Sequence, residues 1–240
     1  MEIHKPKAAH SVREFLIEIG TIICGILIAL SLEQALETLH WAGKVHEAKA
    51  ALHEQMVLAS VFAEEREARE QCADRYLAEL AAAIVASPPQ WRPKPMDYCG
   101  VQHDHVYVVP FRPWPTEVWR SIEAEGTVSH FEGSYRLKAP FLFDFIKSIG
   151  DLNNAEVDES AELAPLAYKI TLTPQARITF VKAIERLRQQ NGELALSSRQ
   201  LDAQIRRIGE TPADAELARI RATIPHLAAP QAAPLTMTPR

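Results

Sequence analysis

Cysteine is scarce in this sequence, which has only Cys24, Cys72 and Cys99. Three cysteines are too few for a disulfide scaffold, and their wide spacing excludes a Cys-x-x-Cys zinc site. Glycine is also scarce, with 9 residues against 16 prolines. Few glycines among many Ala, Leu, Glu and Arg residues favour helices over sheets. We therefore expect an all-α fold.

Sequence signatures of common enzymes and cofactor sites are missing as well. The chain has no G-x-x-x-x-G-K-[ST], G-x-G-x-x-G or G-x-S-x-G motif, so it lacks the usual phosphate-binding loops and nucleophile elbow. The net charge of −5 gives no general attraction to nucleic acid. We expect neither a cofactor nor a nucleic-acid partner, and a binding protein rather than an enzyme.

Charge is almost absent from residues 15–32, FLIEIGTIICGILIALSL, where Glu18 is the one charged side chain. At 1.5 Å per residue, a helix over this segment is roughly 27 Å long, close to the roughly 30 Å hydrocarbon core of a bilayer. Trp41 follows at a distance that suits an indole in the far headgroup region. The sequence therefore predicts one transmembrane helix over residues 15–36.

Two other interpretations of this segment stay open. A cleaved signal peptide has a similar charged start and apolar run, and residues 29–31 are the best candidate cleavage site. The buried core helix of a soluble protein is the second alternative.

Basic residues are missing between Arg13 and Lys44, whereas Lys5, Lys7 and Arg13 precede the apolar segment. The positive-inside rule places such a basic end in the cytoplasm. We expect residues 1–14 to be a cytoplasmic tail at the bacterial inner membrane. The large C-terminal part would then lie in the periplasm.

The N-terminal features also resemble those of a known group. A basic tail leads into REFLIEIGTIICGILIAL, then Glu33, Gln34 and Trp41, and a W-x6-G pattern follows from Trp119 to Gly126. This order is similar to that of uncharacterised bacterial single-pass membrane proteins with a helical extramembrane domain. The resemblance implies a topology and carries no activity, cofactor or partner.

Proline is absent from residues 33–87, and Gly43 is the only glycine there. Apolar residues recur at steps of three and four, which predicts a stalk helix over residues 37–87 with one apolar stripe. The stripe needs a cover. Either the same helix of a second chain, in a coiled coil, or the helix beginning at Pro174 could supply it, and we favour the second, a hairpin within the chain.

Seven prolines interrupt residues 88–115, so this connecting segment cannot be a regular helix. Its β-prone residues 105–111 predict at most one short strand. Residues 116–224 are expected to form a helical bundle or hairpin domain. Residues 225–240, rich in proline and alanine, predict a disordered tail. The expected helices cover residues 116–125, 135–149, 158–170 and 174–208, with a short one after Thr211.

Several polar groups were weighed as sites, and an ordinary interpretation is better for each. Cys99, His103 and His105 form C-x3-H-x-H but lack an evident fourth zinc ligand. His46 and His53 share a helix face as solvated residues. The acids at 156, 158, 159 and 162 are spaced like a helix N-terminus, where they favour the macrodipole. Five arginines between 186 and 207 alternate with acids, as on a solvated helix.

Three further sets carry expectations. Trp119, Tyr135, Phe141 and Phe145 could line a ligand pocket, although aromatic residues at helical spacing are more often core. Cys72 and Cys99 are hypothesised to form a disulfide, since the periplasm is oxidising. Glu18, Gly25 and Ala29 lie on one helix face whose small residues allow a second helix to approach closely.

These observations predict a membrane-tethered interaction or scaffold protein, with a protein partner and weak homodimerisation of the anchor. The alternative is a membrane-anchored sensor or small-ligand-binding domain that uses the aromatic residues.

Overall fold

The computed structural model describes residues 11–93, 97–99, 101–102, 106–107 and 109–223. Within them the chain is mostly helical, with five α-helices and four strands of two residues each. The all-α class is therefore confirmed. The chain divides into two compact units, Met1–Glu47 and Ala48–Arg240.

Helix α1 spans Val12–Ala86 and belongs to both units. Its N-terminal part, up to residue 39, exposes every side chain. From Ala48 onward the helix buries residues at steps of three and four, as the apolar stripe predicted. These include Leu52, Met56, Tyr76, Leu80 and Ile84.

In the second unit, two long helices accompany α1. Helix α3 spans Gly133–Ala161 and helix α4 spans Pro174–Arg207. Helix α4 runs antiparallel to α1 within the same chain, because Arg177 bonds the carbonyl of Ile84 whereas Asp202 faces Ser60. Helix α4 therefore covers the apolar stripe of α1.

Local signals place the ends of α4 where the sequence predicted them. The Thr173 hydroxyl accepts a hydrogen bond from the Ala176 N–H at 3.1 Å, and Pro174 is the first helical residue. This arrangement caps the free amides of the first turn. At the other end Gly209 adopts φ = 91°, a left-handed conformation that glycine adopts without strain. The short helix α2, Glu117–Ala124, likewise ends before Gly126 with φ = 76°.

Helix α3 corrects the prediction of separate helices over 135–149 and 158–170. It continues through Gly150, where a Cβ atom would lie 3.1 Å from the Cβ of Trp114. Gly150 therefore admits the close approach of an indole rather than ending a helix. After α3 a 3-10 turn, Ala164–Ala167, leads into strand β4, Ile170–Thr171.

The proline-rich connection contains three short strands, so the prediction of at most one was wrong. Strand β1, Gln90–Trp91, pairs antiparallel with β4. Strands β2, Asp97–Tyr98, and β3, Val101–Gln102, form a hairpin. Val106, Tyr107 and Val109 belong to none of these strands. The predicted disordered tail, residues 225–240, lies outside the described residues.

The core of the second unit fills the space between the helices and the connection. Trp91, Tyr107 and Trp114 are all buried, so the connection packs against the bundle through its aromatic residues. A short helix α5, Asp214–Thr223, follows the turn at Gly209 and has no buried side chain.

Candidate functional site

The apolar stretch of α1 is the first feature with functional meaning. It is long and apolar enough to cross a membrane, and none of it is buried. The Thr21 and Ser31 hydroxyls donate to the carbonyls of Ile17 and Leu27, four residues earlier. These bonds satisfy both hydroxyls inside the helix, as a hydrocarbon environment requires.

The predicted interface residues Glu18, Gly25 and Ala29 lie on this stretch, and all three are exposed. A Cβ atom built on Gly25 would meet nothing within 4 Å. The face they form is therefore open in the single chain.

A buried cluster of charged residues joins α1, α3 and the connection. Arg66 on α1 and Glu156 on α3 are 3% and 0% exposed, and Arg66 Nη2 lies 2.6 Å from Glu156 Oε2. The Tyr107 hydroxyl donates to Glu156 Oε1 at 3.1 Å. Arg66 Nη2 also donates to the carbonyl of Pro110 at 3.2 Å. Two residues of the connection are thus tied to the pair.

A second ion pair extends this cluster. Arg112 of the connection donates to both carboxylate oxygens of Glu65, at 2.6 and 2.9 Å. Its backbone N–H donates to the side-chain oxygen of Asn153 on α3 at 3.1 Å. Arg69 adds a third guanidinium, 3.3 Å from Glu65. A two-pronged arginine–carboxylate pair has fixed geometry, so Arg112 sets how the connection lies across the two helices.

The chemistry available to this cluster is mainly structural. A buried charge without a partner of opposite charge costs several kcal/mol. Here Arg66 pairs with Glu156, and Arg112 pairs with Glu65. The cluster therefore fixes the position of the proline-rich connection on the bundle.

The cluster also corrects the interpretation of the acids between 156 and 162. They occupy the C-terminal end of α3, where the macrodipole disfavours a negative charge. Arginines offset this penalty: Glu156 pairs with Arg66, and Glu159 lies 2.5 Å from Arg186 of α4. The predicted N-terminal role was wrong because the helix starts at Gly133.

The arginines of α4 are exposed or half-exposed, as predicted for a solvated helix, and two of them also pair with acids of α1. Arg188 donates to Asp74 at 2.8 Å, and Arg199 donates to Glu70 at 2.6 Å. Both partners lie on α1, so these arginines link the two antiparallel helices. Their alternation with acids on α4 itself did not reveal these partners.

The four aromatic residues predicted for a ligand pocket differ in their burial and in their partners. Trp119 is buried and stacks on Phe143, with ring centroids 5.0 Å apart. Tyr135 is buried against Phe131 and Lys49. Phe141 is 76% exposed, and Phe145 is half-buried. Phe141 and Phe145 are four residues apart and share one face of α3, whereas Phe143 lies on the opposite, buried face.

Cys72 and Cys99 form a disulfide across 27 residues, with Cα atoms 5.3 Å apart. Cys99 lies in the turn between β2 and β3 with φ = 53°. A left-handed φ is disfavoured for a residue with a side chain, so the bridge holds this turn in a costly conformation. Cys24 is the free cysteine.

His53 forms the third feature, which sequence analysis missed. Its Nδ1 lies 3.0 Å from Glu210 Oε2, and its Nε2 lies 3.2 Å from both oxygens of Glu216. Glu210 follows α4 and Glu216 belongs to α5. A separation of about 160 residues along the chain leaves no local signal that could have revealed these contacts. His46 is exposed, as predicted for a solvated residue.

Within the described part of the chain, no three His, Cys, Asp or Glu side chains are placed to hold a metal ion. His103 and His105 of the C-x3-H-x-H pattern lie outside the described residues.

Comparison with known proteins returned no match to a family model, to a curated protein or to a solved structure. Function must therefore be inferred from the chain's own residues.

Proposed function

We propose that this protein is a membrane-tethered interaction or scaffold protein. Residues 15–36 would cross the bacterial inner membrane with the N-terminus in the cytoplasm. The helical domain would bind another protein in the periplasm. The observation that carries the proposal is the long exposed apolar stretch of α1. The same helix buries its side chains in the helical bundle from Ala48 onward.

The orientation is supported by two independent observations. Lys and Arg precede the apolar stretch and then disappear until Lys44, which favours a cytoplasmic N-terminus. The Cys72–Cys99 disulfide lies on the C-terminal side of the apolar stretch. Disulfides persist in the periplasm and are rare in the cytoplasm.

An interaction role is supported by the contrast between the buried charged residues, which are paired, and an exposed apolar pair on α3. The most deeply buried charged residues, Glu65, Arg66 and Glu156, have charged partners within the bundle. By contrast, Leu137 and Phe141 on α3 are 67% and 76% exposed. They are four residues apart and share a helix face. An exposed aliphatic–aromatic pair of this kind suits a protein partner.

The alternative, a membrane-anchored sensor or ligand-binding domain, has less support at the aromatic residues. Trp119 and Tyr135 pack in the core and Phe141 faces solvent, which favours an interaction role over a ligand pocket.

Site-specific photocrosslinking in living cells tests the proposal. A photoreactive phenylalanine analogue replaces Leu137 or Phe141, and the control position is Asn154, which is exposed on another face of the same helix thirteen residues further along. We expect one discrete crosslinked partner from positions 137 and 141 and none from 154. No protein crosslink from either 137 or 141, with the protein at its native level, would contradict an interaction role at this face.

A further inference from the structure

His53 lies between two carboxylates that come from different elements. Glu210 reaches it from the turn after α4, because Gly209 reverses the chain there. Glu216 reaches it from α5 and also accepts the Ala213 backbone N–H at 2.8 Å. One imidazole ring therefore connects α1, the end of α4 and the first turn of α5.

The geometry of the ring requires a particular protonation state. Both ring nitrogens face carboxylate oxygens. An ionised carboxylate can accept hydrogen bonds but cannot donate them. A neutral imidazole has one N–H donor and one acceptor lone pair, so it can satisfy only one of the two carboxylates. The imidazolium donates from both nitrogens and satisfies both. The observed contacts fit the charged ring.

Helix α5 depends on such contacts for its position. None of its ten residues is buried, although Leu217 and Ile220 are half-buried. Two side-chain links connect it to α1: Glu216 to His53, and Arg221 to Glu64 at 2.6 and 2.7 Å. The arginine link keeps its charge across the physiological range, whereas the histidine link does not.

We propose that His53 is a pH-dependent latch that holds helix α5 on α1 when its ring is protonated and loosens it when the ring is neutral. This goes beyond the proposed interaction role and does not depend on it, since the latch concerns only the position of α5.

The charged groups around His53 favour protonation in mildly acidic conditions. Glu210 and Glu216 face the ring directly. The charge of Arg219 on α5 helps to lower the pKa of Glu216. Burial and the charge of Glu210 raise the pKa of Tyr135 on α3. Lys49, one turn earlier on α1, is engaged by Glu132 and the Tyr135 ring. Burial lowers the pKa of His53, but the hydrogen bonds and charges of the two glutamates outweigh it, so the pKa is raised above 6.5.

The pH window follows from these directions. A raised folded-state pKa means that the latch stabilises fully below pH 6.5 and is lost as the pH rises through the folded value. The pKa of Glu216 is lowered from 4.5 by the Ala213 N–H and by His53. Its contribution is present above pH 4.5 and fails in stronger acid. The latch is therefore tightest between these two values.

Hydrogen exchange of the full chain in detergent micelles tests the latch. Exchange of the α5 amides is compared at pH 6 and pH 8.5, after correction for the intrinsic pH dependence of the chemistry. We expect protection of α5 to fall roughly three- to tenfold at the higher pH, because half-exposed ion pairs are individually weak. Protection of α3 should stay constant.

Three variants make the test specific. His53→Gln should show low α5 protection at both pH values, and His53→Arg should show high protection at both because its charge persists. His46→Gln, an exposed control on the same helix, should behave as wild type. Equal α5 protection of the wild type at both pH values, or an unchanged pH step in His53→Gln, would overturn the latch.

Discussion

Arg66 on α1 and Glu156 on α3 form an ion pair at 2.6 Å with almost no access to solvent. A buried pair of this kind gives little net stability compared with apolar residues, yet losing one member is costly. The pair also receives Tyr107 and contacts Pro110. Its main effect is therefore to determine where the connection crosses the bundle.

Arg66→Ala should destabilise the domain by about 3–5 kcal/mol, because Glu156 would be left buried without its partner charge. Urea unfolding of the micellar protein, followed by circular dichroism, measures the loss. The matched control is Arg199→Ala, which removes a half-exposed pair with Glu70 and should cost less than about 1 kcal/mol. Equal losses for the two variants would contradict a special role for the buried pair.

The disulfide yields a second prediction. Under non-reducing, denaturing conditions one reactive thiol, that of Cys24, should be found per chain. Replacing Cys72 by Ser should lower stability by roughly 3–4 kcal/mol in the chain-entropy model. Cys72→Ser and the double replacement with Cys99→Ser should be similarly destabilised, because each removes the same bond. Three reactive thiols per chain under the same non-reducing, denaturing conditions would rule out the bridge.

Membrane topology is tested with fusions to a reporter that is active only in the periplasm. A reporter placed after Ser87 should be active, and the same reporter placed before Phe15 should be inactive. Activity of both fusions, or release of the protein by salt washes, would contradict the anchored orientation.

Local sequence signals predicted the features that depend on local physics. The Thr173 cap, Pro174 and Gly209 set the ends of α4, and each works through atoms a few residues away. The apolar stripe of α1 predicted its buried face for the same reason, since helical periodicity alone fixes it. The apolar stretch could be predicted from the length and composition of residues 15–36 alone.

Features that depend on distant residues were missed. A helix was predicted over residues 135–149 only, although α3 continues through Gly150, which makes room for Trp114. The acids near Glu156 were assigned to a helix start, and only the arginines of other helices explain their position. His53 was taken for a solvated residue because Glu210 and Glu216 are far along the chain. Pairing between elements is set by packing, which periodicity does not encode.

Self-association of the apolar stretch is the last prediction. Gly25 and Ala29 form a small-x-x-x-small pair on the face that carries Glu18, and all three residues are exposed in the single chain. Small residues let two helix backbones approach closely in a membrane. A facing helix would also shield Glu18 from lipid, which lowers the cost of a carboxylate there. We therefore expect weak homodimerisation through this face.

Gly25→Ile should abolish the association in a membrane two-hybrid assay, because the added side chain separates the backbones by filling space that is open around Gly25. Gly20→Ile is the matched control, since Gly20 is equally open but is not part of the Gly25–Ala29 pair. Both variants should insert normally, because isoleucine is at least as apolar as glycine. If Gly25→Ile associates as well as the wild type, this face is not an interface, and the stretch acts as an anchor only.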